Sequence, residues 1–276
     1  MRVVDSHVHV GTAGVPLGPA DASASFALWR TRAAAVGIHR AVLMAAPLGS
    51  YAPANRAVAR LAGREPGMWL WYVFVNASAD KGRVGPIVAA AHARGACGIK
   101  VHWSDGLATD EVALAASRFN MPVLFDPGGD VECVVQLAGR HPGVPWIVPH
   151  LSSFADDWRA QKRLIAWLVR VPNLFTDTSG VRYFDLLEEA VARAGAHKVL
   201  YGSDGPYLHP APELAKIMAL GLGPEERALV LGGNILRLTS PALACARSVH
   251  PVRPVRPAAP TLLLQGGHEH GRYNFS

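Results

Sequence analysis

The strongest constraint on the fold is a repeated alternation of short apolar runs with segments of helical periodicity. Eight apolar runs are typical of buried strands, and they cover residues 4–10, 40–46, 68–75, 97–103, 121–126, 144–151, 173–178 and 198–204. Helical patterns follow them at residues 22–37, 54–64, 83–94, 109–119, 130–140, 156–169, 184–195, 212–220 and 224–231. Apolar strands joined by helices form a parallel sheet that the helices cover.

Eight such units favour closure of the sheet into a (β/α)8 barrel of the TIM type, an α/β fold. The alternative is an open, doubly wound sheet, which normally has a glycine-rich phosphate turn after its first strand. Here Gly11 is followed by the residues TAGVP, which do not match that turn. The sequence therefore predicts a single barrel domain over residues 1–240.

The end of the chain differs in composition from the barrel. From about Val249, prolines, arginines, glycines and histidines replace the apolar pattern. We expect residues 241–276 to form a Pro/Arg-rich tail that is disordered or lies on the surface. His268, Glu269 and His270 are residue types that bind metals, but in such a segment we expect them to be solvated.

Composition also narrows the class of partner and the compartment. The formal net charge is +6, but half of this excess falls in the last thirty residues, so no nucleic-acid partner is expected. Cys97, Cys133 and Cys245 are an odd number without a CxxC motif, which favours free thiols in a reducing compartment. No signal peptide is recognisable, and no apolar run reaches the roughly 18 residues that a membrane span needs. These features predict a cytoplasmic protein without a membrane attachment.

The first strand carries two histidines separated by one residue, in the segment VDSHVHV. Alternate side chains of a strand lie on the same face, so we expect Asp5, His7 and His9 to share one. Two imidazoles at this spacing can converge on one borderline metal ion beyond the strand end. The alternative is that both histidines are polar residues on an exposed face.

Other ionisable residues stand at the ends of later predicted strands. In a barrel of this kind the active site lies at the C-terminal ends of the strands. Because an unpaired buried charge is costly, these groups favour one polar cup suited to metal-assisted catalysis. The residues are Lys100, His102, Asp126, His150, Asp177 and Asp204.

Several of these residues have a second interpretation. Asp177 could only hydrogen-bond the following turn, Lys100 could be a structural partner of a carboxylate, and His102 could point into its loop. Asp5 is expected to brace the barrel floor or to orient a ligand. The candidate substrate-binding residues are Trp29, Trp103, Arg182 and Tyr183. For the three aromatic residues, packing in the core is the alternative.

In this order, the motifs resemble the amidohydrolase-related (amidohydrolase 2) family of metal-dependent barrels in the amidohydrolase superfamily. The resemblance covers about residues 3–240. It rests on DSHVH at 5–9, GIHRAVL at 37–43, GIK at 98–100, MPVLF at 121–125, His150, YGSDGP at 201–206 and GGN at 232–234.

The resemblance implies a divalent ion, usually zinc, held by the strand-one histidines, a strand-five histidine and the strand-eight aspartate. Carried over, His7, His9 and Asp204 are metal ligands, and His150 polarises or orients the substrate. The chain departs from the pattern at strand five, where Asp126 replaces the histidine. Either Asp126 binds zinc or manganese itself, or His102 contributes instead. A carbamylated Lys100 that bridges two ions is known in the wider superfamily.

The resemblance implies a metal-dependent hydrolase that attacks an amide or lactone of a small molecule with a metal-activated water. Asp204 would move the proton, and His150 with Lys100 or His102 would stabilise the oxyanion. One alternative is a non-oxidative decarboxylase, for which Lys100 and Arg182 would suit an acidic substrate. Others are a metal-free lactonase and a barrel that only binds. A homodimer is expected because relatives often form dimers.

Overall fold

Eight parallel strands form one barrel sheet, in which each strand pairs with its neighbour in sequence. The computed structural model describes residues 3–11, 21–47, 50–152 and 157–249, and for residues 245–249 the backbone alone. The strands are β1 Val4–Val10, β2 Arg40–Ala45, β3 Trp69–Phe74, β4 Gly98–His102, β5 Val123–Asp126, β6 Trp146–Val148, β7 Leu174–Asp177 and β8 Val199–Leu200.

Helices alternate with the strands, as the periodicity predicts. They are α1 Ala22–Ala34, α2 Ala52–Arg64, α3 Val84–His92, α4 Asp110–Arg118, α5 Val131–Arg140, α6 Trp158–Arg170, α7 Phe184–Ala194, α8 Pro210–Ala219, α9 Pro224–Ala228 and α10 Asn234–Val249. The predicted α/β class and (β/α)8 TIM barrel are confirmed. None of the helices in the described residues is long and apolar enough to cross a membrane.

Contacts between β1 and the chain around β8 bring the two ends of the sheet together. The Ser6 amide donates to the Tyr201 carbonyl at 3.0 Å, and the His9 amide donates to the Gly205 carbonyl at 2.6 Å. Gly202 lies where these segments meet, and a Cβ there would stand 3.0 Å from Cβ of His7. The closure therefore places the residues after β8 directly beside the histidines of β1.

Helix starts and buried strands follow from the local sequence. The carboxylates of Asp21, Asp130 and Asp157 accept backbone N–H groups at the starts of α1, α5 and α6. Such caps satisfy amides that have no partner within the helix. Almost every strand residue is buried, because helices cover the outer face and side chains fill the interior.

Two strands end earlier than predicted, and both endings shape the site. The expected strand over 144–151 stops at Val148, because His150 (φ 59°) and Leu151 (φ 51°) adopt left-handed conformations. The expected strand over 198–204 stops at Leu200, and Asp204 has a φ of 54°. Non-glycine residues with positive φ are uncommon and cluster at functional sites.

Helix α10 continues through the boundary predicted at residue 240 and ends at Val249. Ala242 is fully buried, so this helix packs as part of the barrel domain. The remainder of the predicted tail, including His268, Glu269 and His270, lies outside the described residues. Cys97 and Cys133 are free thiols, as predicted.

Candidate metal centre

The C-terminal ends of β1 and β8 bring together two imidazoles and one carboxylate. Nε2 of His7 lies 3.1 Å from Nε2 of His9. Oδ1 of Asp204 lies 3.6 Å from the first nitrogen and 3.4 Å from the second. All three residues are buried. Three of the four predicted metal ligands therefore meet at one point.

The hydrogen bonds on the far side of each ring determine which nitrogen carries the proton. Nδ1 of His9 lies 2.7 Å from the Ala45 carbonyl oxygen, and Nδ1 of His7 lies 2.9 Å from Oδ2 of Asp177. Both partners accept, so each Nδ1 must be the protonated nitrogen. In a neutral ring the other nitrogen then carries a lone pair. The two lone pairs at Nε2 consequently face each other and Asp204.

Burial keeps both rings neutral. It lowers the pKa of His7 to about 4, helped by the nearby Lys100 charge, and lowers the pKa of His9 well below its usual range. At neutral pH the two Nε2 atoms are therefore not protonated, and their lone pairs still face each other at 3.1 Å.

This donor set fits a divalent cation. Two nitrogens and one oxygen are the ligands that zinc and manganese accept. Ligands held tetrahedrally at zinc distances stand about 3.4 Å apart, as these three atoms do. The hydrogen bonds from Nδ1 to Asp177 and to the Ala45 carbonyl hold the two rings in place, as is usual for metal-binding histidines.

Asp204 differs from an ordinary surface aspartate in its ionisation. Burial raises the pKa of its carboxyl group to about 7, although the nearby His150 and Lys100 lower it. Without a cation, this carboxyl group therefore keeps a proton over much of the range below pH 7. A cation that binds here must displace that proton.

Metal uptake should accordingly release a proton in a pH-dependent manner. At pH 6 we expect the parent to release about one proton per zinc ion more than Asp204→Asn does, and at pH 8 close to none more, because Asp204 is already ionised there. Calorimetric titration in buffers of different ionisation enthalpy measures this number. The comparison with Asp204→Asn subtracts the proton that a zinc-bound water loses, and an excess release that is equal at both pH values would contradict the assignment.

A second group of possible ligand atoms, from His7, His150 and Asp177, lies beside the first. Here hydrogen bonds account for the proximity. Oγ of Ser179 donates to Oδ1 of Asp177 at 2.6 Å and lies 2.9 Å from Nδ1 of His150. Nδ1 of His150 also lies 2.8 Å from the Ser179 carbonyl oxygen. The polar atoms of this second group are thus paired with one another by hydrogen bonds. The group therefore orients His7 and His150, and a second ion is not needed to explain it.

Asp177→Asn should weaken metal binding without altering the ligands themselves. An asparagine amide can donate to Nδ1 of His7, which would move the ring proton to Nε2 and remove its lone pair. We expect zinc affinity to fall about 100-fold, which is the upper range for a change in a residue that hydrogen-bonds a metal ligand. Competition with a chromophoric chelator measures it.

Asp126→Asn is the matched control for this measurement. It removes the same charge from the same cup but touches neither histidine ring of β1, so affinity should change by less than about threefold. A larger loss in Asp126→Asn than in Asp177→Asn would show that Asp126 is a ligand.

Asp5 does not share the direction of the two histidines, because the register with β2 shifts between Asp5 and Val8. Its Oδ1 accepts the amides of Ser203 and His7 at 2.9 and 3.2 Å. Its Oδ2 accepts the Ser203 hydroxyl and Nε1 of Trp29. Asp5 thus ties β1 to the segment that carries Asp204, which agrees with the predicted bracing role.

Trp29 is a correction, because it was a candidate substrate-binding residue. It is fully buried in α1, and a Cβ at Gly205 would stand 2.3 Å from its ring. The indole therefore packs under the turn after β8 and is no wall of an open site. The alternative of core packing is the one that the structure shows.

Asp5→Asn should destabilise the barrel strongly. In all four hydrogen bonds to this carboxylate, the partner is the donor. In Asp5→Asn the new amide NH₂ group would therefore face a donor and could not accept from it. One buried hydrogen bond would be lost, and a second buried polar group would stay unpaired. We expect a loss of about 3 kcal/mol in the free energy of unfolding, measured by urea denaturation. The exposed Asp185→Asn should change it by less than about 0.5 kcal/mol. Equal stabilities would contradict the bracing role.

Asp126, the fourth predicted ligand, does not join the three converging atoms. Within the described chain it belongs to neither group of possible ligand atoms. It stands opposite His102 in the β4–β5 register, with Oδ2 3.5 Å from Nε2 of His102. Its Oδ1 accepts the Gly128 amide at 2.9 Å. Its role as a metal ligand therefore stays a prediction that the geometry does not favour.

Lys100 and His102 occupy the same side of the cup as Asp126. Lys100 is 1% exposed, and burial lowers its pKa, while Asp126, Asp204 and Asp177 raise it. Burial lowers the pKa of His102 to about 4, and its Nδ1 lies 2.7 Å from Oγ of Ser104. Lys100 is therefore surrounded by the site's carboxylates, whereas His102 is engaged with its own loop and Asp126.

The rim of the cup contains the exposed candidates for substrate binding. Trp103 is 54% exposed, and its ring lies where a Cβ of Gly128 would be, so it covers the loop after β5. Tyr183 and Arg182 are also exposed, on the loop after β7. Tyr207 was not predicted, although its ring lies 5.4 Å from that of His9. Its position in the segment SDGPY, just after the strand-eight aspartate, was the available signal.

Comparison with solved structures shows the same architecture in several enzymes. The 2,6-dihydroxybenzoate decarboxylase from Rhizobium superposes with a TM-score of 0.66 at 14% identity, over 87% of this chain and 99% of that one. A probable 2-pyrone-4,6-dicarboxylic acid hydrolase from Acinetobacter baumannii gives 0.68 at 14% identity, over 87% and 100%. At such identities the likeness shows the fold alone.

A third similar structure was determined with a metal. It is a dihydroxybenzoic acid decarboxylase from Polaromonas sp. JS666 with bound manganese and an inhibitor, with a TM-score of 0.64 at 12% identity, over 87% of this chain and 97% of that one. No curated protein sequence matches the chain.

The family model described as amidohydrolase (Amidohydro_2) matches residues 4–238, which is most of the chain and the whole of the strand-and-helix alternation. The match includes both histidines of β1 and the aspartate after β8. The chain belongs to this amidohydrolase family, and it is an enzyme.

Proposed function

We propose that the protein is a divalent-metal-dependent hydrolase that opens an amide or a lactone of a small molecule. The observation that carries this proposal is the convergence of His7 Nε2, His9 Nε2 and Asp204 Oδ1 within 3.6 Å of one another. Two of these atoms carry lone pairs with no proton between them, which is the arrangement that a cation stabilises.

The three converging residues would hold the ion. Zinc suits a site with two imidazoles and a carboxylate best, and manganese is the second candidate. When bound, such an ion supplies Lewis acidity, which polarises a carbonyl group and makes water easier to deprotonate.

Asp204 is the residue that we assign to proton transfer. A carboxylate at this position can take a proton from water and return it to a leaving group. Its left-handed backbone, with a φ of 54°, holds the carboxylate at the end of β8, next to both rings. Aspartate is among the side chains that tolerate this conformation best.

His150 and Lys100 would stabilise charge on the substrate. The His150 ring lies 5.3 Å from the His7 ring and is held through Nδ1 by the Ser179 carbonyl. Lys100 brings a positive charge to a site from which water is largely excluded, where it acts more strongly on a developing oxyanion. His102 is the less favoured candidate for this role, because Ser104 and Asp126 already engage it.

Decarboxylation is the second candidate function. The names of similar structures include decarboxylases for dihydroxybenzoates and 5-carboxyvanillate, which all act on aromatic acids. In this chain Lys100, and Arg182 at the rim, would suit a substrate carboxylate. Asp204 or His150 would then deliver a proton to the carbon that loses carbon dioxide.

Isotope incorporation separates the two reactions. Zinc- or manganese-loaded protein is incubated in ¹⁸O-water with a panel of small lactones, aryl amides and hydroxybenzoates. We expect one ¹⁸O atom in the organic product and no carbon dioxide. Carbon dioxide release without ¹⁸O in the organic product would replace hydrolysis by decarboxylation, and turnover that survives complete chelation would favour a metal-free lactonase.

Three further properties stay predictions. We propose a small-molecule substrate, a cytoplasmic location and a homodimer, in agreement with the composition and with the habits of the family. A binding protein without catalysis would bind no ion and gain nothing from added zinc or manganese.

A further inference from the structure

Three arginines, Arg56, Arg60 and Arg94, border a groove between helices α2 and α3, on the outer wall of the barrel. Arg56, Arg60 and Arg64 are spaced four residues apart along α2, so they lie on one side of that helix. Their backbone positions rise by about 6 Å from one to the next. Arg94 follows the end of α3 and lines the same groove.

In the part of the chain that the structure describes, Arg56, Arg60, Arg64 and Arg94 differ from the other arginines because their guanidinium groups have no partner. Elsewhere arginines are engaged, as in the 2.9 Å ion pair of Arg30 with Glu65 and the 2.6 Å pair of Arg193 with Glu189. Others cover an aromatic ring or donate to a carbonyl oxygen. Among residues 3–11, 21–47, 50–152 and 157–244, the structure gives no hydrogen bond, ion pair or ring contact to these four guanidinium groups.

None of the described residues that line the groove is acidic. Neither the α2 segment APANRAVARLAGR nor the α3 segment VGPIVAAAH has an aspartate or glutamate. Glu65, the residue after α2, is already paired with Arg30. The positive charges are therefore not compensated locally, and together they create a field that attracts anions.

The exposed side chains of Arg56, Arg60 and Arg94 stand around an open depression of the surface. A cavity of about 300 Å³ is lined by Arg56, Ala59, Arg60 and Arg94. A second cavity of about 160 Å³ shares Arg56, Ala59 and Arg94 with it. Its remaining lining is mostly apolar and includes Trp71, Val73, Ile87, Ala90 and Ala91. The larger cavity, lined by arginines, thus adjoins the smaller and mostly apolar cavity, which we call the apolar slot.

We propose that this groove is a second ligand site, which binds a small molecule with two or more linked phosphoryl groups on an apolar or aromatic body, such as a nucleoside diphosphate. Guanidinium groups match phosphate oxygens in pairs of parallel hydrogen bonds. Several unpaired arginine charges lie close together, so they suit more than one phosphoryl group. The apolar slot accommodates the apolar or aromatic body of the ligand. None of the lining residues belongs to the metal centre, so the site is separate from the proposed catalytic function.

Calorimetry on the metal-loaded full chain tests this site with ADP, inorganic pyrophosphate and adenosine. We expect one ADP per chain, with pyrophosphate about tenfold weaker because it lacks the body, and no measurable binding of adenosine. Arg60→Gln and Arg94→Gln should each weaken ADP binding about tenfold. The control Arg170→Gln, an arginine that already covers the Trp167 ring, should leave it unchanged.

Three results would overturn the proposal. The first is no ADP binding at millimolar concentration. The second is ADP binding that persists in the Arg60→Gln/Arg94→Gln double variant, since the phosphates would then be held elsewhere, at the metal centre in particular. The third is a single-stranded oligonucleotide that binds through the same arginines more tightly than ADP, which would make the groove a nucleic-acid surface.

Discussion

Asp204→Asn should abolish turnover while the barrel stays folded. Asparagine has the shape of aspartate but can neither take a proton from water nor bind a cation as an anion. We expect kcat/KM to fall by at least about 10³-fold, because one residue supplies both proton transfer and a metal ligand. The measurement is turnover of the substrate found in the ¹⁸O panel, at saturating zinc or manganese.

The buried environment of Asp204 makes the control informative. Burial raises the pKa of this carboxyl group to about 7, so the charge is costly in the cation-free protein. Asp204→Asn should therefore unfold at the same temperature as the parent, or higher, in the presence of a chelator. Retained activity would remove Asp204 from the mechanism, and an unfolded variant would show that the residue is structural.

His9→Gln should remove the ion. His9 contributes Nε2 to the centre and donates from Nδ1 to the Ala45 carbonyl, and a glutamine has no imidazole nitrogen to put in the place of Nε2. Loss of one of three protein ligands should weaken zinc binding by at least about 10³-fold. Metal content after dialysis and chelator competition measure the change.

His92→Gln is the matched control for His9→Gln. His92 is also buried, but it stands at the end of α3 and packs on Phe119, and among the described residues its Nε2 has no hydrogen-bond partner. Zinc affinity should stay within about threefold of the parent. If the two variants lose the ion equally, general destabilisation explains the result and the ligand assignment fails.

The strand order and the first half of the metal centre could be predicted from local sequence. The apolar runs mark all eight strands, because a parallel barrel buries both faces of each strand. The spacing of His7 and His9 suffices to bring their rings together at the end of one strand. Asp204 follows because strand ends of a closed barrel meet at one rim.

The rest of the centre depends on contacts that cross most of the chain. Asp177 meets His7 across 170 residues, and only that contact makes Nδ1 of His7 the protonated nitrogen. The identical residue type could equally have capped its own turn, as it also does for Ser179. Ser179 itself shows no metal-binding or catalytic pattern in sequence, although it links two histidines and Asp177.

Local backbone geometry accounts for the remaining differences. Trp29 looked like a substrate wall because tryptophan is common in binding sites, but its indole fills the space beside Gly205. The alternation rule placed Asp5 with His7 and His9, and the register shift in β1 breaks it. Left-handed residues at 150 and 204 end two strands early. No periodicity in the sequence reports such single-residue conformations.

The central claim is that His7, His9 and Asp204 hold one divalent cation, and anomalous diffraction tests it most directly. Crystals of zinc-loaded protein, measured above and below the zinc absorption edge, should show a single strong peak about 2.0–2.2 Å from Nε2 of both histidines and from a carboxylate oxygen of Asp204. A peak among His7, His150 and Asp177 instead, or no peak near His9 at full zinc loading, would contradict the account.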